Sequence, residues 1–79
     1  MNADDLLESI KANLPDLQDA MPVGELFFVI GMDGSSLAAE VEVSRTLHSC
    51  AFRQRLRESG VDFYLYRDGK IEFVEVSHA

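Results

Sequence analysis

The sequence predicts a two-layer α+β domain of order α-β-β-α-β-β, in which a four-stranded antiparallel sheet carries two helices on one face. Two Asp-Gly dipeptides, Asp33-Gly34 and Asp68-Gly69, each lie between runs rich in apolar residues, a pattern typical of β-hairpins. A segment with apolar residues at helical spacing precedes each hairpin. The chain has 79 residues, so we assign 1–79 to a single domain.

The first helix is predicted from an apolar stripe at helical spacing. The stripe consists of Ala3, Leu6, Leu7, Ile10 and Leu14. Asn2 is a suitable N-cap, and Pro15 should end the helix or begin a short second turn. That turn, residues 15–20, would direct Leu17 and Met21 towards the core.

The first hairpin is predicted from residues 25–32 and 35–43, joined by a two-residue turn at Asp33-Gly34. This register sorts the side chains into two sets. One face would hold Leu26, Phe28, Ile30, Leu37, Ala39, Val41 and Val43. The other would hold Ala38, Glu40 and Glu42, with Phe27 and Val29 as apolar exceptions.

The second half repeats the plan. Ser44 is predicted to cap a helix that runs to Ser59, with Gly60 at its C-terminal end. Residues 61–66 and 71–76 would then form the second hairpin around Asp68-Gly69. A two-residue turn places Val61, Phe63, Leu65, Val74 and Val76 on one face and Tyr64, Tyr66, Ile71 and Phe73 on the other.

The chain is acidic, with a net charge of −7. The charge is uneven, because residues 44–60 carry four arginines against a single acid. A net negative charge repels nucleic acids and anionic membranes and attracts basic proteins. A single cysteine, an acidic start and the lack of a long apolar run favour a cytoplasmic protein without a membrane segment.

The residues that could do chemistry do not form a recognisable constellation. His48 and Cys50 are two apart on a predicted helix, so their side chains point in different directions. A metal site needs three or four ligands, and the five glycines stand singly rather than in a phosphate-binding loop. We therefore predict no catalytic, cofactor or metal site, and a protein that is not an enzyme.

Two helices can cover one face of the sheet, which leaves apolar residues on the other. An exposed patch of this kind indicates an association surface. The predicted partner-binding residues are Glu25, Phe27, Val29, Glu40, Glu42, Tyr64 and Tyr66. We expect a small acidic binding module of the inhibitor, immunity or anti-defence type. It would act on a basic protein, in one variant by mimicking nucleic acid. We also expect a homodimer, formed sheet to sheet or edge to edge.

Two alternatives stay open at this point. Arg45, Arg53 and Arg57 could form a basic helix face that grips nucleic acid, although the net charge of the chain opposes this. The protein could also be a self-associating structural or adaptor subunit.

Overall fold

The structure, a computed structural model, describes residues 2–31 and 37–76. In these residues the chain forms four helices and a three-stranded antiparallel sheet. The elements are α1 (Ala3–Ala12), β1 (Met21–Pro22), α2 (Val23–Val29), α3 (Leu37–Leu47), α4 (Cys50–Glu58), β2 (Val61–Leu65) and β3 (Lys70–Glu75), with a 3₁₀ turn at Leu14–Asp16. The α+β class is confirmed, and the four-stranded sheet is not.

The N-terminal segment folds as its sequence predicts. The side-chain oxygen of Asn2 accepts a hydrogen bond of 2.8 Å from the N–H of Asp5, which caps α1. Pro15 lies in the 3₁₀ turn that follows. Leu17 and Met21 are buried, as expected.

The prediction of a first hairpin is wrong. Residues 25–29 belong to α2 and residues 37–43 to α3, while Asp33-Gly34 lies outside the described residues. Leu26 and Ile30, four residues apart, are both buried, which is helical spacing. Phe27 is consequently in the core and Val29 is half-buried, so neither lies on an uncovered sheet face.

The predicted long helix from Ser44 to Ser59 is two helices. Ser44 lies inside α3, and the helical conformation is interrupted at His48 and Ser49 before α4 begins. Ser49 takes the capping role instead, because its Oγ accepts a hydrogen bond of 3.3 Å from the N–H of Phe52. Gly60 follows the end of α4 with a φ of +88°, a conformation that favours glycine.

Strands β2 and β3 pair antiparallel, but one residue out of the predicted register. Phe63 lies opposite Phe73 and Leu65 opposite Ile71. The connection is a three-residue loop, with the N–H of Tyr66 bonded to the C=O of Lys70. Gly69, at a φ of +90°, is the third loop residue. The predicted two-residue turn at Asp68-Gly69 is therefore wrong, and the loop matches the three-residue type that ends in a left-handed glycine.

The shift in register moves two large side chains to the other face of the sheet. Ile71 and Phe73 join Val61 and Phe63 on the inward face, and all four are buried. The rings of Phe63 and Phe73 lie 5.6 Å apart. Two of the four residues predicted as an apolar surplus of the second hairpin, Ile71 and Phe73, are thus in the core, and the two tyrosines remain outside.

The strand order is β1-β3-β2, so β3 is central and β2 has an open edge. The helices cover the inward face of the sheet and build one core with it. The core consists of Leu6, Leu7, Ile10, Leu17, Met21, Leu26, Phe27, Ile30, Val43, Leu47, Phe52, Leu56, Val61, Phe63, Ile71 and Phe73. None of the four described helices covers the outward face of the sheet, where Tyr64 and Tyr66 are exposed.

Candidate binding surfaces

The outward face of the sheet presents the two tyrosines predicted to bind a partner. Tyr64 pairs with Glu72 across the strands, and Tyr66 follows the end of β2 on the same side. Their exposed fractions are 52% and 46%. The Tyr66 hydroxyl donates a hydrogen bond of 3.2 Å to Oε1 of Glu72. We call Tyr64, Tyr66 and Glu72 the tyrosine face.

The hydroxyl of Tyr66 stays protonated at neutral pH. Loss of hydration, the hydrogen bond to Glu72 and the nearby negative charges raise the pKa of Tyr66 above its ordinary value. The tyrosine face therefore offers two amphipathic rings next to a carboxylate. This combination suits the side chains of arginine and lysine, which stack on aromatic rings and pair with carboxylates.

Most cations of the chain are already bound to carboxylates. Asp62 binds Arg53 at 2.9 Å and Arg57 at 3.6 Å, and Asp4 binds Arg55. Two weaker pairs, each at 4.0 Å, are Lys11–Glu8 and Lys70–Asp68. Among residues 2–31 and 37–76, nine carboxylates have no cationic partner. They are Asp5, Asp16, Asp19, Glu25, Glu40, Glu42, Glu58, Glu72 and Glu75.

The predicted acidic residues do not lie together. Glu25 is exposed on α2, and Glu42 is exposed on α3. Glu40 is half-buried, because residues two apart on a helix point in different directions. The prediction that Glu40 and Glu42 share one face of a strand is therefore wrong, since this segment is helical.

The predicted arginine face is largely occupied by Asp62. Nε of Arg53 donates to the Asp62 carboxylate, and its Nη2 donates to the C=O of Phe63 at 3.1 Å. The guanidinium also lies 5.2 Å from the centre of the Phe63 ring. Arg57 binds the second oxygen of the same carboxylate, whereas Arg45 lies on α3. Two of the three arginines are thus already bound to a neighbour, and they share its single negative charge.

The environment of Asp62 keeps it ionised. Partial burial opposes the charge, but the hydrogen bonds from Arg53 and from the N–H of Phe63, with the charges of Arg53 and Arg57, outweigh it and hold the pKa of Asp62 below its usual value. The same contacts occupy the open edge of β2, because both backbone groups of Phe63 are bonded. Another strand cannot pair there without displacing Arg53.

Sequence reasoning missed three exposed apolar residues. Phe28, Leu37 and Val41 have exposed fractions of 75%, 74% and 47%. Leu37 and Val41 are four residues apart, a spacing that places both on one side of a helix. Reading this segment with a helical period would have found the pair. Glu72 was also missed, because the predicted register placed it on the face opposite the tyrosines.

In the described part of the chain, no group of three or more His, Cys, Asp and Glu side chains could hold a metal ion. No helix of that part is long and apolar enough to cross a bilayer. Comparisons with known protein families, with curated proteins and with solved structures returned no match. The account of function therefore rests on the surfaces themselves.

Proposed function

We propose that this chain is a small, non-enzymatic, cytoplasmic binding module that docks on a basic surface of another protein. The observation that carries the proposal is the imbalance of ion pairing. Five of the seven cations are bound to carboxylates, while nine described carboxylates have no cationic partner. Such a surface attracts cationic partners and repels polyanions. An inhibitor, immunity or anti-defence role fits a module that acts by occupying its partner.

The tyrosine face is the docking centre in this proposal. Tyrosine is enriched where interfaces concentrate their binding energy, because a rigid ring supplies a large contact area with a polar tip. Glu72 lies opposite Tyr64 on the neighbouring strand and already accepts a hydrogen bond from Tyr66. An arginine or lysine of the partner can stack on Tyr64 and pair with Glu72.

The mimicry variant is not supported by the positions of its three carboxylates. Glu25 and Glu42 lie on different helices, and Glu40 is half-buried on α3. A nucleic-acid mimic needs carboxylates spaced along one surface, as phosphates are. The tyrosine face requires no such spacing, so it is the form of the proposal that we retain.

Affinity capture tests the proposal. The wild-type protein and a Tyr64→Ser/Tyr66→Ser variant are immobilised and exposed to lysate, and captured proteins are purified and titrated by calorimetry. We expect basic proteins that bind wild type at least about tenfold more tightly than the double variant. Binding should also weaken as salt is raised.

The matched control is Phe28→Ser, which removes an exposed aromatic ring from α2 instead of the sheet. It should leave binding unchanged. If wild type and the double tyrosine variant bound the captured protein with equal affinity, the tyrosine face would not be the docking site. A captured partner that is acidic or a nucleic acid would contradict the proposed class of partner.

A further inference from the structure

Helix α3 has apolar residues on two sides. Val43 and Leu47 are buried in the core, with exposed fractions of 1% and 4%. Leu37 and Val41 lie on a different side of the helix and are exposed. A helix at a protein surface ordinarily has one apolar stripe. The second stripe of α3 therefore indicates a further contact, one that residues 2–31 and 37–76 do not make among themselves.

Two hollows lie in line along this outward side. The first, of about 590 Å³, is lined by Leu37, Ala38, Val41, Glu42 and Arg45. The second, of about 300 Å³, has Arg45, Thr46, Phe52 and Arg55 among its lining residues. Arg45 borders both hollows, so they are neighbours. We call the two hollows together the α3 furrow.

Two side chains of opposite charge, Glu42 and Arg45, lie three residues apart along the α3 furrow. Glu42 lines the first hollow, Arg45 lines both hollows, and Arg55 lines the second. Arg55 is bound to Asp4. Glu42 and Arg45 form no ion pair with any residue in 2–31 or 37–76. Both charges are available to a partner whose own charges run in the reverse order.

A second copy of this chain, turned by a two-fold rotation, offers that reverse order. We infer that the α3 furrow binds a second copy with the two α3 helices antiparallel. The axis lies between residues 42 and 45, so Glu42 of each chain faces Arg45 of the other. Such an interface is self-complementary, as symmetric dimers require.

The same rotation also matches apolar groups to hollows. Along the sequence, Leu37 precedes the midpoint between residues 42 and 45 by as many residues as Cys50 follows it, and α3 ends at Leu47. In the inferred dimer each Leu37 therefore lies beyond the end of the other α3, near the second hollow, which Thr46 and Phe52 line. Packed helices lie about 8–10 Å apart, a distance at which Leu37 and Val41 lose contact with water. The interface thus covers the unused stripe of α3.

The net charge of −7 on each chain opposes association, but this repulsion acts mainly at long range. Charges separated by more than about 8 Å are largely screened at physiological ionic strength, whereas the facing pairs are in contact. Arg45 of each chain is placed against Glu42 of the other. This location is independent of the tyrosine face, and the two surfaces can be tested separately.

Charge reversal tests the inference by sedimentation equilibrium up to about 1 mM protein. We expect wild type to dimerise, and Glu42→Arg and Arg45→Glu each to weaken dimerisation about tenfold or more, because two attractive pairs become two repulsive ones. An equal mixture of the two variants should dimerise again, since every facing pair is then opposite in charge. The matched controls Glu58→Arg and Arg67→Glu should leave dimerisation as in wild type.

Leu37→Ser gives a second test that changes no charge. It should weaken dimerisation, whereas Leu65→Ser, which removes a partly exposed leucine from β2, should not. Circular dichroism checks that each variant is folded. A wild-type protein that is monomeric at about 1 mM overturns the inference, as does a mixture of the two charge variants that fails to associate. The Tyr64→Ser/Tyr66→Ser variant should still dimerise, which separates this result from partner binding.

Discussion

Replacement of Phe73 tests the register of β2 and β3, which decides what lies on the tyrosine face. Phe73 is fully buried and its ring lies 5.6 Å from that of Phe63. Truncating a buried phenylalanine to alanine costs about 3–5 kcal/mol. A domain of this length has a free energy of unfolding of about 4–12 kcal/mol. Phe73→Ala would therefore remove a large share of the stability, and Phe73→Leu, at about 1–2 kcal/mol, is the more easily measured change.

Val74 provides the matched control, because it is the next residue and lies half-buried on the outward face. Val74→Ala should cost about 1 kcal/mol or less. Urea denaturation followed by circular dichroism measures both free energies of unfolding. If a two-residue turn at Asp68-Gly69 joined the strands instead, Val74 would face inward and Phe73 outward. A larger cost for Val74→Ala than for Phe73→Leu would refute the register described above.

Two further predictions concern the loop between β2 and β3 and the loss of stability at low pH. Gly69→Ala should lower the free energy of unfolding by about 1–2 kcal/mol, because only its φ of +90° opposes a side chain and no atom lies within 4 Å of an added Cβ. Gly24→Ala, inside α2, should be neutral or stabilising; equal losses at both glycines would contradict this. The pKa of Asp62 is lower in the folded protein than in the unfolded chain. Its contribution to stability is therefore complete above pH ~4, the ordinary pKa of an unfolded aspartate, and disappears as pH falls through the lower pKa of the folded state. The stability difference between wild type and Asp62→Asn, measured by urea denaturation, should therefore shrink as pH falls below the unfolded value of about 4; a difference independent of pH would refute it.

The sequence was informative where local signals agree. The side chain of Asn2 predicted the start of a helix, and the conformational freedom of Gly60 predicted the end of another. Both predictions are confirmed. Residues 25–32 form a short apolar run, and such a run does not distinguish a buried strand from a buried helix. Residues 38–42 alternate like a strand, yet alanine and glutamate favour helices. The packing of Leu26, Ile30 and Val43 into one core stabilises both segments as helices rather than strands.

The binding surfaces were only partly accessible to sequence reasoning. Tyr64 and Tyr66 were expected to be exposed, and they are. Their neighbour Glu72 was not expected there, because the loop length sets the register and a one-residue shift exchanges the faces of one strand. The pairing of Arg53 with Asp62 joins residues of α4 and β2. That contact depends on tertiary structure, so spacing along the chain did not reveal it.

Titration of a captured basic protein into isotope-labelled protein, followed by two-dimensional NMR of the backbone amides, tests the central claim most directly. That claim is that a basic partner docks on the outward face of the sheet around Tyr64, Tyr66 and Glu72. The account predicts that the largest amide shifts map to β2, β3 and their loop, and that Tyr64→Ser/Tyr66→Ser abolishes them. Shifts confined to the helices, with the sheet unaffected, would contradict it.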